Sequence, residues 1–116
     1  MNKAQLDAMV EEATVDSYNE SEQITGLFTV IEDELMVPFK TQVLGVDVTV
    51  ERLDLNGEDQ IVAICSREKL RQSIPLLDLP LPTPPPAGSQ WIEAYRHWLH
   101  VPALSAPAED SMRVAR

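Results

Sequence analysis

Apolar residues recur at helical spacing near the start of the chain, where Leu6, Met9, Val10 and Ala13 predict a short amphipathic helix from residue 4 to about 18. Asn19 and Ser21 then offer a break and a new helix cap, with Glu20 and Glu22 suited to the positive end of a second helix. Its stripe, Ile24, Leu27, Phe28, Ile31 and Leu35, lies on one narrow face and carries the helix to about residue 35. The β-branched residues Ile24, Thr25, Thr29, Val30 and Ile31, with Gly26 among them, argue for a strand instead. The helix is preferred because the stripe fits a period of 3.6 with no misplaced member. Pro38 ends the element in either case.

From Phe39 the period becomes two. Phe39, Thr41 and Val43 alternate with Lys40 and Gln42, Gly45 breaks the run, and Val46, Val48 and Val50 alternate with Asp47, Thr49 and Glu51. Beyond Arg52 the alternation resumes one residue out of phase at Leu53 and Leu55, which predicts a β-bulge. Asn56-Gly57 signals a hairpin, Ile61 to Cys65 reads as a more buried strand, and Leu70 to Leu76 as another. The fold class expected is α+β: a small curved antiparallel sheet or partly open barrel of about four to five strands, with N-terminal helices and a C-terminal helix packed on it.

Five prolines between Pro80 and Pro86 make a polyproline-type connector. It reads either as a ligand for a proline-recognising module or as a stiff bridge, and the flanking Leu77, Leu79 and Leu81 favour the bridge. Ser89 is placed to cap a last helix over residues 89–100, whose face carries Trp91, Ile92, Tyr95, Trp98 and Leu99 and reads as core. The domain is thus expected to span 1–100, with a flexible tail over 101–116.

Charge changes the picture. The chain has 116 residues and a formal net charge of -10, yet 44% hydrophobic content supports a globule rather than an acidic disordered chain. Nucleic acid and anionic membranes are poor partners for it, since both attract Lys and Arg. Cys65 is the only cysteine, so no intramolecular disulfide or thiolate zinc site is expected, and the absence of a signal-like or spanning segment leads us to expect a cytoplasmic protein.

Between Ala4 and Phe39 stand nine carboxylates and no Lys, Arg or His. Glu32, Asp33 and Glu34 fall at the end of the second predicted helix, where the macrodipole is already negative, so a hard cation would relieve them. Asp54, Glu58 and Asp59 surround the Asn-Gly turn, although the spacing is not that of an EF-hand and an ordinary hairpin explains it. His97 and His100 lack a zincin-type motif, and Glu93 four residues before His97 suggests a surface pair. No glycine-rich phosphate loop or nucleophile elbow is found, so the chain reads as a non-enzyme.

Asp16-Ser17-Tyr18, the acids Glu20 and Glu22, Gln23, Gly26, and Ile31-Glu32-Asp33-Glu34-Leu35 with Pro38-Phe39 resemble the small cyanobacterial-type calcium-binding proteins of the CcbP family. Ile74-Pro75-Leu76 and the closing Trp91, Ala94, Tyr95 and Trp98 extend the likeness over about residues 15 to 99. The resemblance implies calcium bound by acidic side chains without catalysis, at Asp33 first, with Glu32 beside it and Asp16, Glu20 and Glu22 as neighbours. The expected function is a calcium buffer or sensor, with a possible second site at Asp54, Glu58 and Asp59. The alternative is an acidic interaction module that docks a basic protein partner.

Overall fold

The computed structural model describes residues 1–99; His100 and the predicted tail over 101–116 lie outside the described residues. The first helix, α1, spans Lys3–Ala13 and begins with a reciprocal capping box between Asn2 and Gln5. It stops well short of residue 18. Thr14 ends it, with its hydroxyl donating back to the Val10 carbonyl, a local bond of the kind that competes with helix propagation.

The second helix, α2, covers Glu20–Glu34 and starts at Asn19, whose side chain accepts the Glu22 N–H. Ile24, Leu27, Ile31 and the capping Leu35 are buried and Phe28 is half-buried, so the helical stripe prevails over the β-branched composition. Gly26 sits mid-helix for a packing reason. A Cβ there would run into the carbonyl oxygen of Ala13, so the end of α1 rests directly on the α2 backbone.

Four antiparallel strands follow: β1 (Phe39–Val43), β2 (Val46–Leu55), β3 (Ile61–Arg67) and β4 (Leu70–Pro75). They form an open sheet in sequence order rather than a closed barrel. The β2–β3 register shifts between Val50 and Arg52, which makes Glu51 the extra residue of the predicted bulge. That shift is what lets Val50 and Leu53, three residues apart, both face the core.

The Asn56-Gly57 hairpin is present, but its turn chemistry differs from a two-residue Asn-Gly loop. Asn56 Oδ1 accepts from the Glu58 and Gln60 backbones, and Asp59 rather than Gly57 takes the positive φ of 58°. The other two hairpins place Leu44 and Glu68 at positive φ as well.

After β4 comes a short 3-10 turn, Leu76–Asp78, and then the proline-rich connector. It packs as a bridge: Leu79 is buried, Thr41 donates to the Pro80 carbonyl at 2.6 Å, and Met36 N–H donates to the Ala87 carbonyl. Gly88, at φ 90°, lies against the Glu34 carbonyl where no side chain would fit. The last helix, α3, spans Gln90–Trp98. Ser89 precedes it but makes no side-chain capping bond, because it already has helical backbone angles instead of the extended ones a cap needs.

The helices cover one face of the sheet. Ile24, Leu27 and Ile31 meet Trp91, Ile92 and Tyr95 over Val50, Leu53, Ile61 and Ala63, so most of the predicted aromatic stripe is core; Trp98 is half-buried and Leu99 exposed. Among the described residues, no helix is long and apolar enough to cross a membrane.

Candidate functional site

The helix that carries Glu20 and Glu22 at one end and Glu32, Asp33 and Glu34 at the other also keeps the two groups apart. Glu22 and Asp33 sit near opposite ends of α2, about 16 Å apart along its axis at 1.5 Å per residue. Calcium ligands lie 2.3–2.6 Å from the ion. The expectation that Asp16, Glu20 and Glu22 would neighbour Asp33 is therefore corrected: a continuous helix is rigid on that scale, and one ion cannot bridge its two ends.

At the N-terminal end, Asp16 and Glu22 line a cleft of about 430 Å³ with Ser17, Tyr18, Ser21 and Thr25. Glu22 already has work there. Its Oε1 accepts the Tyr18 N–H at 2.7 Å, so it ties down the turn that leads into α2. Glu20 faces elsewhere, beside Gln23 and Trp98, where Gln23 accepts the Trp98 indole N–H at 2.9 Å.

At the C-terminal end, Glu32, Asp33 and Glu34 are all exposed and no basic residue occupies the last turn. Gly88 covers the Glu34 carbonyl, which removes one backbone oxygen from the set that a cation could use.

The hairpin acids also divide. Asp54 accepts the Leu55 N–H on the exposed face of β2, whereas Glu58 and Asp59 line a cleft of about 520 Å³ together with Asp78, Leu76, Tyr95 and Leu99. Asp78 is the acid that sequence reasoning missed. It stands in a leucine-rich stretch, and only the 3-10 turn after β4 brings it to the hairpin. Tyr95 forms part of the cleft wall; its hydroxyl accepts the Ile61 N–H at 3.4 Å, and burial pushes its pKa up.

Asp7 has a structural task that the helix wheel did not reveal. It bonds Lys3 within α1 and also His97 of α3 at 2.6 Å, so it ties α1 to α3. The Lys3 bond, then the His97 bond, hold its carboxyl below the ordinary range. Glu93, expected beside His97, pairs with Arg96 at 3.6 Å.

Lys3, Arg71, Arg96 and His97 thus pair with Asp7, Glu51 and Glu93. None of the eight candidate ligands is among these acids. Among the described residues, no group of three His, Cys, Asp or Glu side chains stands close enough together to hold a metal ion. The donors are carboxylates throughout, a hard oxygen set that suits calcium or magnesium and not zinc. Cys65 is buried, with its thiol pKa raised by that burial, and belongs to the core. No family model matches the chain, and no curated protein or solved structure resembles it significantly.

Proposed function

We propose that this protein binds calcium through exposed carboxylates at two separate places, as a low-affinity buffer or sensor. One place is the last turn of α2, with Asp33 and Glu32; the other is the hairpin cleft, with Glu58 and Asp59 joined by Asp78. The reading rests on one observation above the rest: the acids of α2's last turn stand at the negative end of the helix with no basic side chain there to offset them. The family resemblance points the same way.

Calcium takes six to eight oxygens. Two or three side chains leave several positions to water, so the affinity belongs in the range of roughly 10⁻⁴ to 10⁻³ M that low ligand count and flexible sites give. Binding then acts by neutralising repulsion rather than by building a new core.

Calorimetric titration with calcium tests the proposal. Heat and a raised melting temperature at millimolar calcium are expected, and Asp33→Asn should weaken one class of site while leaving the other intact. If neither heat nor a melting shift appears, the reading fails. If Asp33→Asn and Asp78→Asn each change nothing while calcium still binds, the ion is a diffuse counterion to the net charge, and docking of a basic protein partner becomes the better account.

A further inference from the structure

The chain has three asparagines, and only Asn56 is followed by a glycine. Asn2 and Asn19 are helix caps, followed by Lys3 and Glu20. Nothing in the turn requires residue 57 to be glycine. The left-handed backbone position falls to Asp59, and a Cβ on Gly57 would meet nothing within 4 Å. What glycine does provide is a backbone nitrogen with no side chain to shield it, next to a carboxamide within its reach.

The fold holds that carboxamide still. Asn56 Oδ1 accepts the Glu58 N–H at 2.9 Å and the Gln60 N–H at 3.0 Å, while Nδ2 donates to Gln60 Oε1 at 3.3 Å. The backbone is tied as well: the Asn56 N–H donates to the Gln60 carbonyl at 3.0 Å, and the Asn56 carbonyl accepts the Asp59 N–H at 3.1 Å. Attack on Asn56 Cγ makes that carbon tetrahedral and swings the carboxamide away from these partners, so the bonds must break first. Gly57, Glu58, Asp59 and Gln60 are exposed, so water reaches the turn once it opens.

We propose that Asn56-Gly57 is a site of self-modification, shielded while the turn is closed and reactive when the hairpin opens. In the open turn the Gly57 nitrogen loses its proton to water and bonds to Asn56 Cγ. The Cγ–Nδ2 bond breaks, Nδ2 leaves as ammonia, and a cyclic imide remains. Water then opens the imide at either carbonyl, giving an aspartate in normal or β-linked form, with nothing oxidised or reduced. Either product places a new carboxylate between Asp54 and the pair Glu58 and Asp59, and loses the N–H that Gln60 accepts. The β-linked form also adds one backbone atom inside the Asn56–Gln60 closure. Both changes disfavour reclosing, so the modification marks chains whose hairpin has opened. Calcium plays no part in the reaction.

Incubation of the full chain in EDTA at mildly alkaline pH, with and without urea, tests this by peptide mapping. Exchange of NH2 for OH adds one mass unit, and the β-linked form separates by its retention. Asn56 should react at least about tenfold more slowly in the folded protein than in urea, because the bonds to its carboxamide must break first. Gly57→Ala should slow the reaction in urea, since a methyl group then shields the nitrogen. Gln60→Ala removes the partner of Nδ2; with circular dichroism showing it folded, it should react severalfold faster than wild type in buffer and equally fast in urea. A folded-state rate equal to or above that in urea, no reaction at Asn56 in urea, an unslowed Gly57→Ala chain, or a folded Gln60→Ala chain that reacts no faster would each overturn the proposal.

Discussion

Gly26→Ala ought to stabilise an exposed helix and should instead destabilise this one. Alanine is better than glycine in a helix interior by about 1 kcal/mol. At position 26, however, the new methyl would occupy the space of the Ala13 carbonyl oxygen, which belongs to the backbone and cannot rotate away. Forcing extra volume into a packed contact costs about 1–3 kcal/mol. The cost has a ceiling, because α1 can release instead. That helix buries no residue fully and holds on through Leu6, Met9, Val10 and Ala13, each half-buried and contributing about 0.5–1 kcal/mol. Set against the propensity gain, the net loss is up to about 2 kcal/mol, or a drop of up to roughly 10 °C in melting temperature for a domain of this size. Thermal unfolding by circular dichroism measures the total, and hydrogen exchange of the α1 amides shows whether the helix has loosened. Thr25→Ala, one residue away and exposed, serves as the control that should cost little or gain slightly. If Gly26→Ala raises the melting temperature as propensity alone predicts, the account of how α1 seats on α2 is refuted.

The Asp7 bond makes a pH prediction. Its carboxyl pKa is depressed in the folded state, so the unfolded chain takes up the proton first as pH falls; its stabilising contribution is full above the ordinary carboxylate range and is lost as pH drops through the lowered value. Asp7→Asn should flatten the acid side of a melting-temperature profile, and an unchanged profile would contradict the assignment. Glu68→Gly should stabilise by about 0.5–1 kcal/mol in denaturant unfolding, since Glu68 is exposed and its φ of 55° suits glycine. Cys65 should resist alkylation in the folded protein and react on denaturation; rapid labelling of the native state would place it outside the core.

The sequence by itself determined the elements wherever periodicity was unopposed. The stripe from Ile24 to Leu35, the bulge between Val50 and Leu53, and Trp91 to Tyr95 as core were all legible, because side-chain spacing maps directly onto one face of a helix or strand. Local spacing also suffices to separate Glu22 from Asp33, once α2 is accepted as continuous. What the tertiary structure decided is which distant residues meet. Asp7 reaches His97, Ala13 rests on Gly26, and Asp78 lines the same cleft as Glu58 and Asp59, and each arrangement depends on how separate elements pack rather than on any local pattern. The acids show the division most clearly: their number is a property of the sequence, while the structure assigns some to caps and helix ties and leaves others without a cationic partner among the described residues.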